Sequence, residues 1–318
     1  MIGAYCQSLP RRAARVCSAA AASFALLACG GGGPTPNGGD AVTPSVSGLS
    51  GWNLVWQDEF DQSGLPDTTK WDYDTYRNQV RETDQGNDTD QGNDTVKTGW
   101  HNGELQYYSR ERLENSSVSD GTLKLVARSE QLASAADWGG QNYTSTRLVT
   151  RGKAEWTYGH FEIRAKLPCA LGTWPAIWML GDHALPQEPI WPLKGEIDIM
   201  EQKGFSSSDK DEVSAALHFW DRHGSDPKFE KFRLDGACER FNTYHLTWTT
   251  DAIQIGVNGV NYLTYNKPAN ATQENWPYDA PQYLLLNVAV GGNLGGPTIG
   301  ALPDQMEVDY VRVWQPPS

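Results

Sequence analysis

From Trp52 onward the apolar and polar positions of this 318-residue chain alternate in short runs, broken by turns rich in Gly and Pro, and no long helical period appears. Successive strand side chains point to opposite faces, so a period of two predicts a strand with one buried face. Leu123, Leu125 and Ala127 alternate with Lys124 and Val126. Phe161, Ile163, Ala165 and Leu167 alternate with His160, Glu162, Arg164 and Lys166, the pattern of a half-buried strand. The alternating run 253–257 meets Asn258-Gly259 and then Val260, a two-residue hairpin signal. Residues 283–290 are mostly apolar, with Asn287 inside the run. Many short strands joined by such turns predict an all-β sandwich or jelly roll.

The stretch 191–202 carries the candidate chemistry. Glu196 and Asp198 are two apart and share a strand face, with Ile197 and Ile199 on the other. Glu201 follows Glu196 by five, an odd offset that turns it to the apolar face. One extra residue, a β-bulge near Met200, returns it to the face of the other two carboxylates. Three carboxylates on one wall cannot all ionise easily, so at least one pKa must rise. A carboxylic acid beside a carboxylate is what glycoside hydrolysis requires. From these residues alone an acidic edge strand or a cation site fits equally well.

The run Glu196-Ile197-Asp198-Ile199-Met200-Glu201 resembles the active-site signature of family-16 glycoside hydrolases, in the form with the extra bulge residue. Segments 56–60, 102–108, 172–180 and 309–314 also resemble that family, in family order, so the similarity extends over residues 52–315. The set is most similar to laminarinases, endo-acting 1,3-β-glucanases. The resemblance implies a concanavalin-like β-jelly roll with a concave substrate cleft, built by a catalytic domain of residues 51–316. It implies Glu196 as nucleophile, Glu201 as general acid and then base, and Asp198 as a hydrogen-bond partner of Glu196. Trp174 and Trp178 would floor the sugar subsites just before the scissile bond, since the C–H faces of a pyranose stack on indole. Asn102, Glu104 and Arg147 would bind hydroxyls, and His218 would lie near the catalytic carboxylates. By its local sequence His218 also reads as a satisfied core histidine. The resemblance implies no cofactor for catalysis. It does imply a structural calcium on the convex side, held by Asp309 with backbone carbonyls near Glu59 and Gly103, oxygen ligands of the kind calcium takes. His160, His183 and His223 form no metal-ligand pattern with the carboxylates.

The implied activity is double-displacement, retaining endo-hydrolysis of 1,3-β-glucan or mixed-linked β-glucan. The alternatives are another family-16 specificity, agarase or carrageenase, and a non-catalytic glucan-binding jelly roll. A net charge of -13 argues against nucleic acid and anionic membrane surfaces as partners and weighs mildly against sulfated polysaccharides. Thirteen Trp and thirteen Tyr exceed what a core of this size uses and suit a sugar cleft. Clustered carboxylates weigh against a mere binder.

Arg11, Arg12 and Arg15 precede an apolar run over 16–28, too short to span a membrane as a mature helix. It ends Leu26-Leu27-Ala28-Cys29-Gly30, which looks like a bacterial lipobox; an ordinary signal with a chance cysteine is the other reading. The expectation is a signal over 1–28, a lipidated Cys29 and a Gly/Pro-rich tether over 29–50. The protein would be exported from a bacterial cell, anchored by lipid to the outer membrane or secreted, and monomeric. Cys169 and Cys238 then remain, as one disulfide or two buried thiols. Residues 83–88 recur letter for letter as 89–94, an acidic duplication that reads as a surface-loop insertion and lacks the EF-hand spacing.

Overall fold

The alternating runs become strands of two sheets packed face to face. The computed structural model of the chain describes residues 48–81, 96–98, 100–181 and 191–317. The expected signal, Cys29, nearly all of the tether, His183 and the duplication at 83–94 lie outside the described residues. Among those described, the larger sheet runs in space β17 (Val260–Asn266), β16 (Ala252–Val257), β15 (Asn242–Trp248), β10 (Gly159–Lys166), β19 (Asp304–Gln315), β7 (Thr122–Ser129), β8 (Tyr143–Ser145), β5 (Gln106–Tyr108). On this sheet β1 (Asn53–Asp58) also pairs with β19, and β6 (Ser116–Ser119) with β7. The smaller sheet runs β14 (Lys228–Arg233), β13 (Glu212–His218), β12 (Glu196–Gln202), β11 (Thr173–Gly181), β18 (Gln282–Val290), β9 (Arg147–Val149), β2 (Asp72–Tyr73). A two-stranded ladder, β3 (Gln79–Arg81) with β4 (Val96–Thr98), and a single helical turn, α1 (Gly292–Gly295), complete the elements used below. β5 and β8 pair in parallel; the other pairs are antiparallel. Hairpin runs such as β17-β16-β15 and β14-β13-β12-β11 alternate with distant pairs such as β10 beside β19 and β11 beside β18, as in a jelly roll.

The core lies between the sheets. Leu123, Leu125 and Ala127 face it from β7, and Phe161, Ile163 and Ala165 from β10, all 0% exposed. Ile177 and Met179 of β11, Ile197 of β12 and Leu284 and Leu286 of β18 meet them from the smaller sheet. Burying each such Leu, Ile, Phe or Met side chain contributes about 1.5–3 kcal/mol. Asn258 and Gly259 take φ of 50° and 78°, the left-handed pair that a two-residue turn between twisted strands needs, and Val257 faces Val260 across it.

The other face of β10 departs from expectation. His160 and Glu162, read as the polar side of a half-buried strand, are 0% and 1% exposed. β10 is central, and in register Glu162 faces His245 on one side and Arg312 on the other. The rings of Trp314 and His245 lie 5.6 and 6.0 Å from that of His160. Bulky neighbours cover a face that the alternation assigns to solvent. Cys169 and Cys238 are bridged, with their Cα atoms 5.4 Å apart. The bridge spans 69 residues, which by chain entropy contributes about 4 kcal/mol.

On the smaller sheet, β18 buries all nine residues. Leu284, Leu286, Val288 and Val290 enter the core, whereas Tyr283 and Leu285 join Val149 in a second apolar cluster on the opposite face, with Trp178 and Leu180 packed against it. That cluster underlies the candidate site.

Candidate active site

The residue just before β12 occupies a position only glycine fits. Gly195 has φ +77°, and a Cβ there would stand 2.8 Å from the ring of Tyr278 and 2.9 Å from Pro277. The Tyr278 hydroxyl lies 3.1 Å from the His218 carbonyl and 3.4 Å from that of Glu196, tying the adjoining ends of β12 and β13. Along β11, Leu180 pairs with Glu196 and Trp178 with Asp198, but the next pair joins Ile177 to Met200. Along β13, Asp198 pairs with Ala216 and Glu201 with Ser214. Both ladders therefore contain one extra β12 residue, at 199–200, where a bulge was expected. Ile197, Ile199 and Met200 are 0% exposed in the core, while Glu196, Asp198 and Glu201 project from the other face.

Each outer carboxylate holds an indole N–H. Trp191 donates to Glu196 Oε2 at 2.8 Å, and Trp174 donates to Glu201 Oε1 at 3.0 Å. Between them, Asp198 Oδ2 lies 3.2 Å from His218 Nε2, which is also 3.8 Å from Glu196 Oε1. The site is mostly buried but open to solvent at Glu196 and His218: the side chains of Glu196, Asp198 and His218 are 17%, 5% and 12% exposed. Burial first, and then the charge of Asp198, raise Glu196 to about 7 and Glu201 to about 8. Burial disfavours a charged His218, but the hydrogen bond to Asp198 and the surrounding carboxylates outweigh it and raise His218 to about 9. The Gly224 N–H donates to Nδ1 at 3.2 Å, so the neutral ring carries its proton on Nε2, toward Asp198. Near neutral pH such a site holds a proton on one outer carboxyl while the other ionises.

Across β11 a second set of groups meets. Trp178 donates to Asn287 Oδ1 at 2.8 Å, and Asn287 Nδ2 donates to the Tyr108 hydroxyl at 3.1 Å. Glu104 Oε2 accepts from Gln106 at 2.7 Å and from Tyr108 at 3.4 Å. Burial raises the Glu104 carboxyl against the pull of Arg147. The Arg147 guanidinium sits between two indoles, 4.6 Å from the ring of Trp178 and 5.0 Å from that of Trp100, with Nε 3.2 Å from Asp74 Oδ2. A flat indole edged by fixed donors and acceptors can receive a pyranose face and its equatorial hydroxyls.

Residues 85–312 match the family model described as Glycosyl hydrolases family 16. The chain belongs to this family. This family-16 domain is 42% identical over 273 residues to Beta-glucanase of Rhodothermus marinus, an alignment covering 83% of this chain and 85% of that protein. Its fold is similar to that of SCLam, a non-specific endo-β-1,3(4)-glucanase from family GH16, with TM-score 0.74 and 41% identity over 84% of this chain and 92% of that one. A SCLam variant co-crystallised with 1,3-β-D-cellotriosyl-glucose presents a 1,3-β-D-cellobiosyl-glucose at its active site; it matches with TM-score 0.73 and 41% identity over 84% and 95% of the two chains.

The family-16 domain thus brings Glu196, Asp198, Glu201, His218 and Trp174 into one cluster, and Glu104, Arg147 and Trp178 into its neighbour. Asn102 is exposed on the adjoining turn His101–Gly103, where its Oδ1 accepts from Asn293 at 3.3 Å. Sequence reasoning missed several participants, Trp100 and Gln106 among them. Trp191 was legible as a tryptophan five residues before Glu196, and Asn287 as the lone polar residue of a buried run. Tyr108 stood in a segment singled out for resemblance, and Asp74 had no local signal.

The expected calcium trio does not assemble. Asp309 pairs with Arg164, and Glu59 is held by Arg312 through two bonds of 2.8 Å, both on the larger sheet. Gly103 instead packs against Gly292, and the next residue, Glu104, bridges to Gly291 just past β18 of the smaller sheet. Its contacts thus differ from those of Asp309 and Glu59, which lie on the larger sheet. Among the described residues, Glu196, Asp198 and His218 offer ligand atoms all within 4.8 Å of one another, a group able to hold a metal ion.

Proposed function

We propose that this chain is a retaining endo-β-glucanase that hydrolyses 1,3-linked or mixed-linked β-glucan. The observation that carries the reading is the pair Glu196 and Glu201 on one accessible face, each aligned by its own indole N–H, with Asp198 between. Ionised Glu196 attacks the anomeric carbon while Glu201 gives its proton to the departing glycosidic oxygen. That carbon–oxygen bond breaks and a glycosyl ester forms on Glu196. Glu201, now a carboxylate, takes a proton from water, whose oxygen attacks the same carbon and frees Glu196. Burial and the charge of Asp198 raise both carboxyls, so one outer carboxyl keeps a proton and can serve as the acid. The Trp191 N–H stabilises the carboxylate of Glu196, and His218 balances the charge of Asp198. Trp178, Arg147, Glu104 and Asn102 receive the sugars on the β11 side.

The substrate class is supported by the glucanases named above and by an acidic chain that does not attract sulfated polymers. Reducing sugar should appear from laminarin and lichenan, and the first product seen by proton NMR should be the β anomer. Turnover confined to agarose or carrageenan would replace the substrate. Binding to laminarin without turnover would leave a glucan-binding jelly roll. An α first product would refute retention.

Export rests on the basic residues before the apolar run and on the Leu26–Cys29 pattern. In a Gram-negative host Gly30 after the cysteine directs the lipoprotein to the outer membrane. Cys29→Ser should move the protein out of the membrane fraction; unchanged partition and an unlipidated N-terminus end the idea. A structural calcium is proposed only where β1 ends beside β19, with Asp309 as side-chain ligand in place of its bond to Arg164 and carbonyls near Glu59. Chelation should then lower the melting temperature of wild type but not of Asp309→Ala. Equal melting of both with and without calcium removes the site.

A further inference from the structure

The two flanks of β12 are furnished differently. β11, β18 and β9 bring Trp174, Trp178 and Arg147 to one side. On the other side β13 brings His218 and then the turn 219–227, whose Gly224 N–H meets His218. That turn is pinned. Phe219 and Arg222 exchange backbone hydrogen bonds of 2.9 and 2.8 Å, the Asp221 N–H reaches the Glu274 carbonyl at 3.1 Å, and Arg222 Nη2 holds Asp226 Oδ1 at 2.9 Å. Beneath it, the ring of Phe219 is buried and lies 5.3 Å from that of Tyr265, nearly parallel at 9°. On this fixed base Trp220 stays 43% exposed.

Trp220 is the outer member of a row of flat rings that starts at the nucleophile. Trp191, itself 40% exposed, donates to Glu196. The ring of His223 meets Trp191 edge-on at 5.4 Å, and Trp220 lies 6.1 Å beyond His223, 29° from parallel. The His223 ring is fixed by a 2.9 Å hydrogen bond from Nδ1 to the Trp220 carbonyl. An exposed indole on a rigid turn, linked through His223 to a second exposed indole that bonds a catalytic carboxylate, is surface prepared for a ligand rather than for a core.

We propose that Trp220, backed by His223, is a platform for a glucosyl unit of the leaving-group portion of the chain, and that it makes the enzyme prefer long glucans. This rests on the reading of the site as a glucanase: if the β11 side holds the sugars before the scissile bond, the departing chain must leave over β13. Its pyranose faces then find an indole without any loop having to close. The platform binds, and it takes no part in bond making.

The test compares kcat/KM on laminarin with that on an aryl β-laminaribioside, whose phenol leaving group ends short of Trp220. Trp220→Ala should lower the ratio of the two about tenfold, mainly through KM on laminarin, and Trp220→Phe should recover most of it. An unchanged ratio, including an equal fall on both substrates, overturns the proposal, since a merely structural role moves both alike. If wild type cleaves neither substrate, the parent reading fails instead. Calorimetric binding of laminarihexaose then judges the platform alone: a weaker Kd in Trp220→Ala supports it, and an unchanged Kd overturns it.

Discussion

Each sheet carries titratable side chains on the face turned away from the shared core, and the two groups are built on opposite principles. On the larger sheet, His160 Nδ1 is 2.9 Å from Thr247 Oγ1, His160 Nε2 is 3.1 Å from Glu162 Oε1, and His245 Nε2 is 2.8 Å from Asn261 Oδ1. All three titratable residues are 0–1% exposed. Even the space for the His245 ring is reserved, since a Cβ on Gly256 would stand 2.5 Å from Nε2. Burial lowers the pKa of His245 and keeps it neutral. On the smaller sheet, three carboxylates face one histidine, two of them are raised toward or above neutrality, and the group stays partly open. Burial of titratable groups alone is therefore no mark of a reactive site. A surplus of like charge, donors aimed at the outer carboxylates and an opening to solvent together distinguish the second group.

The largest expected effect separates the groups by activity. Glu196→Ala and Glu201→Ala should each lose about 10²–10⁴-fold in turnover without melting earlier, because each removes a carboxylate that the fold disfavours. Azide with an activated aryl β-glucoside tells the two apart. Glu201→Ala still forms the α-linked ester on Glu196 and should yield the β-glycosyl azide. Glu196→Ala leaves room for azide below the ring and should yield the α-glycosyl azide. Exchanged anomers reverse the two roles, and wild-type activity in either variant removes that residue from the mechanism.

On the larger sheet the same kind of substitution should act on stability. Glu162→Ala strands the buried imidazole of His160 and should cost about 1–3 kcal/mol in urea unfolding while kcat/KM stays within about twofold. A variant as stable as wild type but crippled in turnover would break the comparison.

The smallest effect concerns pH. Glu201 must carry a proton to act as the acid, so turnover should fall as pH rises through about 8. Asp198→Asn removes a charge that raises it, so this basic limb should move to lower pH; a limb that stays in place would detach Asp198 from the tuning. Stability follows the same sign. A carboxyl raised from 4.5 to about 8 binds more protons folded than unfolded, so its contribution is full below 4.5 and lost as pH rises through about 8. A histidine raised from 6.5 to about 9 contributes fully below 6.5 and loses that contribution through about 9. Melting temperature should therefore decline across this range, and less steeply in Glu201→Gln.

The direction of each side chain was already written in the sequence. Alternation separated Phe161, Ile163 and Ala165 from His160 and Glu162, and the odd spacing of Glu201 required the bulge found at 199–200. Both are properties of the local backbone, whose strand period is two wherever the strand ends up. Tertiary structure decided which faces are dry and which groups become partners. Local pattern does not reveal that β10 is central and covered, that Cys169 and Cys238 meet across 69 residues, that Asn287 faces Trp178, or that Gly103 packs beside Gly292. These contacts join strands far apart in the chain. The burial and electric field that shift the carboxyls therefore exist only once both sheets have assembled.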